Sequence, residues 1–241
     1  AMPPIRSVPD TVPVKEIYDA LDSSSALAVE FDPEAFEKKL QKDANLAKRV
    51  NNAYLYADGS SIVDHVDPML CAAGFKLMKA AGYSMTEIDV LKPYYWGNMI
   101  EDFYMGQGYS ELEADKGVDN RLLTMAEEQG KKILDIESGE AQIKMSTGWS
   151  DELQELLLAE SISCDPAEYW RGVEELYELW CAGDEAALIE EISTEVDTSE
   201  LTEEELTEYE AQKPYLEEYN KGMSYDRNED MLDVAVSYLE S

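Results

Sequence analysis

A helix, a stop and a strand follow one another between residues 117 and 142, and polar side chains cluster where the strand ends. Apolar residues recur at helical spacing from Val118 to Ala126, and Gly130 stands where a left-handed helix terminus favours a residue without Cβ. Residues 131–136 form a short apolar run typical of a strand. Because ligands bind at the carboxyl ends of strands in open α/β sheets, Glu137 is a candidate site residue.

A second apolar run, A-L-A-V-E-F, predicts a buried strand over residues 26–31, with Glu30 near its carboxyl end. Asp32 and Pro33 then supply the N-cap and first turn of a long helix. Almost all of the remaining chain has helical patterns. We therefore predict a helix-rich α/β fold, with a small central sheet of parallel strands near 26–31 and 131–136 flanked by many helices. Two strands alone make a marginal sheet, so either the domain is mainly helical or further strands lie outside this chain.

The carboxylates of Glu30 and Glu137 are the strongest candidate pair. If the two strands are parallel neighbours, both side chains face one crevice, where they would raise one pKa or bind a cation. The alternative is that each carboxylate pairs with an internal cation, for which Lys131, Arg121 and Arg227 are candidates.

The chain has 241 residues and a formal charge of −34, which is unevenly distributed. Residues 151–241 contain 28 acidic and 4 basic residues, a net of −24, against −10 for the first 150. We predict one domain over 1–241 with an acidic helical half at about 150–241. This charge excludes duplex nucleic acid and anionic membranes as partners and would attract a basic partner or divalent cations. Its simplest interpretation is a solvated, highly soluble surface.

Other familiar chemistry is absent from the sequence. The three cysteines form no C-x-x-C pair, lie among apolar neighbours and predict no disulfide framework. His65 is the only histidine, so neither a typical zinc site nor a serine triad has support, and a structural role is expected for it. No Walker loop, dinucleotide fingerprint or EF-hand loop occurs.

An aromatic cluster in P-Y-Y-W-G-N-M-I-E-D-F-Y-M predicts core packing along one helix, and lining of a ligand groove is the alternative. Its members are Tyr94, Tyr95, Trp96, Phe103 and Tyr104.

The order of several motifs resembles the TraB/GumN family, which includes the Tiki-type metalloproteases. These motifs are A-L-A-V-E-F-D at 26–32, Y-A-D-G-S-S-I-V-D-H-V at 56–66, L-K-P-Y-Y-W at 91–96, the segment 117–142, and D-R-N-E-D-M at 226–231. The family is marked by two G-x-x-H motifs whose histidines are implicated in metal binding, and neither is present here. The resemblance implies that the first and last strands of the family fold, which carry those motifs, lie outside this chain.

The resemblance also implies roles for individual residues. Glu30 matches the family's acidic site residue and would be a metal ligand or general base. Glu137 and Arg227 would be catalytic, Asp119 would join Glu30 in holding a divalent metal, and Gln142 matches a recurrent polar position. Either Arg227 or a lysine, Lys131, would offset negative charge at the crevice.

Three functions follow from these observations. The leading one is a metal-dependent hydrolase of metallopeptidase type, acting on a peptide or protein, whose activity this chain lacks by itself because carboxylates alone make a poor zinc-type site. The alternative is a non-catalytic module whose acidic helical surface binds a basic or peptide partner. A third, haem binding, rests on relatives of the family and on His65 alone.

The cellular location follows mainly from the resemblance. Many family members are bacterial lipoproteins or exported proteins, so we expect an extracellular or cell-envelope location, with the cytoplasm as the alternative. No apolar run approaches the ~20 residues of a membrane span, and Ala1-Met2 is typical of a vector remnant that replaced a leader. Sheet edges left without neighbouring strands make self-association an expectation as well.

Overall fold

The computed structural model describes residues 14–108, 118–191, 198–199 and 201–239. These residues are mostly helical and contain one sheet of two parallel strands, as the sequence predicts. The first strand, β1, covers Ala26–Val29, and the second, β2, covers Lys132–Asp135. Ala26 lies opposite Lys132 and Val29 opposite Asp135. The fold class is therefore confirmed, with strands slightly shorter than the predicted segments.

Backbone pairing continues past the carboxyl ends of both strands. The amide of Ile136 donates to the carbonyl of Val29 at 2.8 Å, and the amide of Glu137 donates to the carbonyl of Glu30 at 2.7 Å. Because of these two bonds, the residues that follow β1 and β2 lie side by side at the same edge of the sheet.

The prediction that β1 is buried was wrong. Its residues are half-buried, Ala28 is exposed, and the ends of β2 are exposed too. An apolar run indicates full burial only when layers cover both faces of a sheet, whereas each of these strands has one strand neighbour within the described residues.

Two helices pack next to the sheet. The first, α1, covers Val14–Ser23 and contacts α7, which covers Val118–Glu128 and packs on both strands. Gly130 has φ of 65°, the left-handed conformation that its position after α7 predicts, and it turns the chain into β2.

The long helix expected after Asp32 is instead two helices. The first, α2, covers Pro33–Lys42, and the next, α3, covers Ala44–Ala53. Asp43 separates them because its backbone is extended and its carboxylate accepts hydrogen bonds from the amides of Asn45 and Leu46. An aspartate competes with a continuous helix in this way, by capping a new one.

The main apolar core lies between three helices. The helix α4 covers Pro68–Ala80, α6 covers Pro93–Gly108 and α9 covers Asp151–Ser163, and each contacts the other two. The short α5, Met85–Ile88, closes one end, and Trp96 donates its indole N–H to the carbonyl of Ile88 at 2.8 Å. The fully buried side chains of this core include Ile62, Met78, Trp96, Ile100 and Leu158.

One of the remaining helices lies between α6 and α9 in the chain, and the others follow α9. The helix α8 covers Gly139–Thr147 and packs on α3. The later helices are α10 over Pro166–Ala182, α11 over Glu185–Glu191, α12 over Glu203–Asn220 and α13 over Asp226–Leu239, with a π-turn over Lys221–Tyr225 between the last two. None of the described helices is both long and apolar enough to cross a membrane.

Candidate functional site

Glu30 and Glu137 lie together at the carboxyl edge of the sheet, where the parallel strands deliver them side by side. Glu30 follows the end of β1 by one residue, and Glu137 follows the end of β2 by two. The bond between their backbones, 2.7 Å long, places both side chains at one point of the molecule.

The guanidinium of Arg227 joins the two carboxylates. Its Nε donates to both oxygens of Glu137 at 3.1 Å, and its Nη2 donates to Glu137 Oε2 at 3.0 Å. The same Nη2 donates to Glu30 Oε2 at 2.7 Å. These bonds raise the pKa of Arg227, chiefly through Glu137 and then through Glu30. One cation thus partly balances two anions.

The two carboxylates differ in exposure. The side chain of Glu137 is 12% exposed and that of Arg227 is 16% exposed, whereas Glu30 remains 56% exposed. The amide of Gln142 donates to Glu30 Oε2 at 3.2 Å. Both contacts to Glu30 therefore use the same oxygen, and its Oε1 has no hydrogen-bond partner within the described ranges.

Close packing of α8 against α2 fixes the position of Glu137. Ser138 caps α8 by accepting a hydrogen bond from the amide of Ala141 at 3.1 Å. A Cβ at Gly139 would lie 2.8 Å from the ring of Phe36, so only glycine allows this approach. The helix α13 brings Arg227 to the same place, since Arg227 is its second residue.

The contacts of Asp135 connect this edge to the start of α2 and to α13. Its carboxylate accepts a hydrogen bond from the amide of Asp32 at 2.9 Å, which holds the start of α2. Its backbone carbonyl accepts a hydrogen bond from the hydroxyl of Tyr238 at 2.5 Å. Neither residue was predicted from the sequence. The position of Asp135 at the end of a strand could have indicated its role, but nothing in the sequence near Tyr238 indicates a contact with β2.

Lys131 does not offset charge at this crevice, contrary to one of the two expectations. Its ammonium donates to the carbonyl of Ser24 at 2.5 Å and of Asp22 at 3.3 Å, at the amino edge of the strands. Lys131 precedes β2, so its side chain starts at the opposite end from Glu137. Arg121 is also elsewhere, with its guanidinium 5.7 Å from the ring of Tyr18.

Two further candidates form no hydrogen bond with the carboxylate pair in the part of the chain that the structure describes. Asp119 is exposed in the first turn of α7 and makes no hydrogen bond or ion pair with Glu30 or Glu137. His65 stacks on Tyr56 with ring centroids 3.8 Å apart, and its Nε2 is 2.6 Å from the hydroxyl of Ser60. These contacts are consistent with a structural role for the histidine.

Glu140, in the first turn of α8, belongs to a neighbouring groove of about 430 Å³. Its Oε1 accepts hydrogen bonds from Arg49 Nε at 3.0 Å and Nη2 at 2.8 Å. This exposed pair connects α3 to α8 and is separate from the Glu30 and Glu137 cluster.

Comparison with known proteins identifies the family. The family model described as the TraB/PrgY/gumN family matches residues 9–241, nearly the whole chain. No curated protein and no solved structure matches the chain significantly.

Proposed function

Because this chain belongs to the TraB/PrgY/gumN family, we propose that the carboxyl edge of its sheet is part of a hydrolase site in which Glu30 is the working carboxylate. The observation that carries the proposal is the asymmetry of the two acids. Glu137 has both oxygens bound by Arg227, whereas Glu30 is half-exposed and keeps one oxygen without a partner among the described residues.

A fixed carboxylate with one free oxygen suits a general base. Arg227 and Gln142 hold Glu30 Oε2, so Oε1 would take a proton from a water that attacks a carbonyl carbon. Glu137 would act only as a positioning residue, because it holds the guanidinium in place. The reaction class is hydrolysis of an amide or ester, with a peptide as the expected substrate.

We propose that the described residues hold no metal ion by themselves. No group of three or more His, Cys, Asp or Glu side chains among them is arranged to hold an ion. The guanidinium of Arg227 already lies between the two carboxylates, and a bound cation would be repelled by it. A divalent metal would need donors from outside these residues, and we propose that the 241-residue chain alone does not catalyse hydrolysis.

Peptide cleavage tests this proposal with three proteins: the 241-residue chain, the product of its gene with any flanking segments that the gene encodes (the full-length product), and that product carrying Glu30→Gln. A fluorogenic peptide library is incubated with each protein in Zn²⁺, in Mn²⁺ and in EDTA. We expect cleavage by the full-length product only, and at least a ~100-fold loss with Glu30→Gln. Glu34→Gln is the matched control, because Glu34 is exposed on α2 and forms an exposed ion pair with Lys38.

Each alternative result has a distinct meaning. Cleavage by the 241-residue chain would contradict its inactivity. Full activity of the Glu30→Gln product would contradict the role of Glu30. Absence of cleavage by the full-length product would overturn the hydrolase proposal.

A second function, binding of a basic partner, is favoured by the charge of the later helices. Residues 151–241 have a net charge of −24, and the first turn of α12 contains three consecutive glutamates at 203–205. We propose that this half attracts a Lys- or Arg-rich peptide. Binding that weakens steeply between 50 and 300 mM NaCl supports this, since salt screens exposed charges. Equal binding of a Glu-rich peptide of the same length would contradict it.

A further inference from the structure

A cavity of about 270 Å³ lies between α6 and α9, away from the carboxyl edge of the sheet. Four tyrosines line it, two from α6 and one each from α10 and α12. Two glutamates also line it, one from α6 and one from α9. These six residues are Tyr94, Tyr104, Tyr169, Tyr219, Glu101 and Glu160.

Contacts between rings hold the tyrosines in place. The rings of Tyr104 and Tyr169 have centroids 6.5 Å apart. Tyr94 and Tyr219 both pack on the indole of Trp149, at 4.9 Å and 5.3 Å. These contacts between rings pre-organise the aromatic part of the wall, so little ordering entropy would be lost on binding.

Within the described ranges, no cation faces the carboxylates of this cavity. No Lys, Arg or His is among the described residues that line it, and neither Glu101 nor Glu160 forms an ion pair with the described part of the chain. The hydroxyl of Ser161 donates to Glu101 at 3.0 Å, which fixes that carboxylate. At the sheet edge, in contrast, Arg227 supplies a cation between Glu30 and Glu137.

Two of the groups that line the cavity have raised pKa values. Burial raises the pKa of Glu160, and the neighbouring charge of Glu101 raises it further. Burial also raises the pKa of Tyr219, with contributions from Tyr94, Glu101 and Glu160. Each of these groups holds its proton more tightly, first because burial disfavours the charged form and second because Glu101 adds negative charge nearby.

We propose that this cavity binds an organic cation, an ammonium or guanidinium group on a stem the size of a Lys or Arg side chain. The tyrosine rings offer negative faces to the cation and apolar surface to its methylene stem. The two carboxylates supply charge that the protein itself leaves uncompensated among the described residues. The inference rests on the second proposed function, because it gives the basic partner one specific contact point.

Calorimetric titration with blocked amino acids tests this inference. The probes are N-acetyl-lysine methylamide, N-acetyl-arginine methylamide and, as the neutral control, N-acetyl-norleucine methylamide. We expect at least one of the two cationic probes to bind with one site per chain and about tenfold more tightly than norleucine. Equal binding of the three probes, or no detectable binding of either cation, would overturn the inference.

Matched variants locate the site. Glu101→Gln and Glu160→Gln should each weaken binding of the cation about fivefold, whereas Glu152→Gln should not, because Glu152 lies in the first turn of α9 and does not line the cavity. Tyr169→Phe should retain binding because the ring is kept, and Tyr169→Leu should weaken it. A loss as large with Glu152→Gln as with Glu160→Gln would show only general attraction and contradict a site in the cavity. If a variant fails to fold, the selectivity of the wild-type protein still decides.

The pH dependence provides an independent measurement. Because the pKa of Glu160 is raised, this carboxylate is protonated earlier on acidification than an ordinary glutamate, and binding of the cation should weaken in that range. Glu160→Gln should flatten this part of the profile.

If a long basic peptide binds wild type, Glu101→Gln and Glu160→Gln equally, the second proposed function stands while the cavity inference fails.

Discussion

The helical core of α4, α6 and α9 and the strand region around β1 and β2 are stabilised by different interactions. In the helical core, large apolar side chains such as Trp96, Ile100 and Leu158 are fully buried. In the strand region the strands themselves are only half-buried, and polar contacts connect residues that are far apart in the chain. Arg227 reaches Glu137 across 90 positions and Glu30 across 197.

This difference predicts which substitutions lower the free energy of unfolding most. Apolar packing is cooperative and contributes most of the free energy of folding, whereas exposed polar contacts contribute little each and mostly buried ones, such as Arg227 with Glu137, contribute more and also specify geometry. The strand region, which carries the proposed hydrolase site, therefore belongs to the less stable part of the molecule, where functional elements are commonly found.

The largest expected effect is in the helical core. Trp96→Ala should lower the free energy of unfolding by about 3–5 kcal/mol, because it removes a fully buried indole and its hydrogen bond to Ile88. Urea unfolding followed by circular dichroism measures the change. Met69→Ala is the control: Met69 is 82% exposed on α4 and should change the value by less than about 0.5 kcal/mol. Equal effects of the two substitutions would remove the proposed contrast.

A smaller loss is expected when the cation of the strand region is removed. Arg227→Ala should cost about 2–4 kcal/mol, because Glu137 is mostly buried and would be left beside Glu30 without a positive partner. The same urea unfolding applies. Arg171→Ala removes an exposed arginine whose ion pair with Glu168 spans 3.8 Å, and it should cost under about 0.5 kcal/mol. An Arg227→Ala protein as stable as Arg171→Ala would show that the polar cluster does not stabilise the strands.

The smallest effect concerns a single hydrogen bond to β2. Tyr238→Phe removes the hydroxyl that donates to the carbonyl of Asp135 and should cost about 1 kcal/mol. Hydrogen exchange should accelerate at amides 132–137 and remain unchanged in α6 and α9. Tyr83→Phe, at an exposed tyrosine after α4, is the control and should leave both regions unchanged. Acceleration in the helical core as well would show that the two regions open together.

Local signals in the sequence predicted much of the strand region. The helix of 118–126, the turn at Gly130 and the strand after it were all recognisable, since each depends on residues within one or two turns. The parallel pairing followed because both segments are short apolar runs separated by helices. The break at Asp43 was missed because an aspartate inside a helical pattern also fits an exposed helix surface.

The cation that pairs with the two glutamates could not be predicted from the sequence. Lys131, Arg121 and Arg227 were equally acceptable on sequence, and the nearest in the chain to Glu137, Lys131, points to the opposite edge. The roles of Glu30, Glu137, Arg227 and Asp119 stay predictions, and Glu30→Gln is the variant that tests the first of them.

The sequence by itself determined the helix-rich character, the two strands, the acidic later half and the family, because composition, local periodicity and motif order are properties of neighbouring residues. Only the tertiary structure decided that Arg227 lies between Glu30 and Glu137 and that Glu101 and Glu160 share a tyrosine-lined cavity without a cation from the described residues. Such pairings depend on how distant helices pack, and packing is set by the sum of many weak contacts that no single segment encodes.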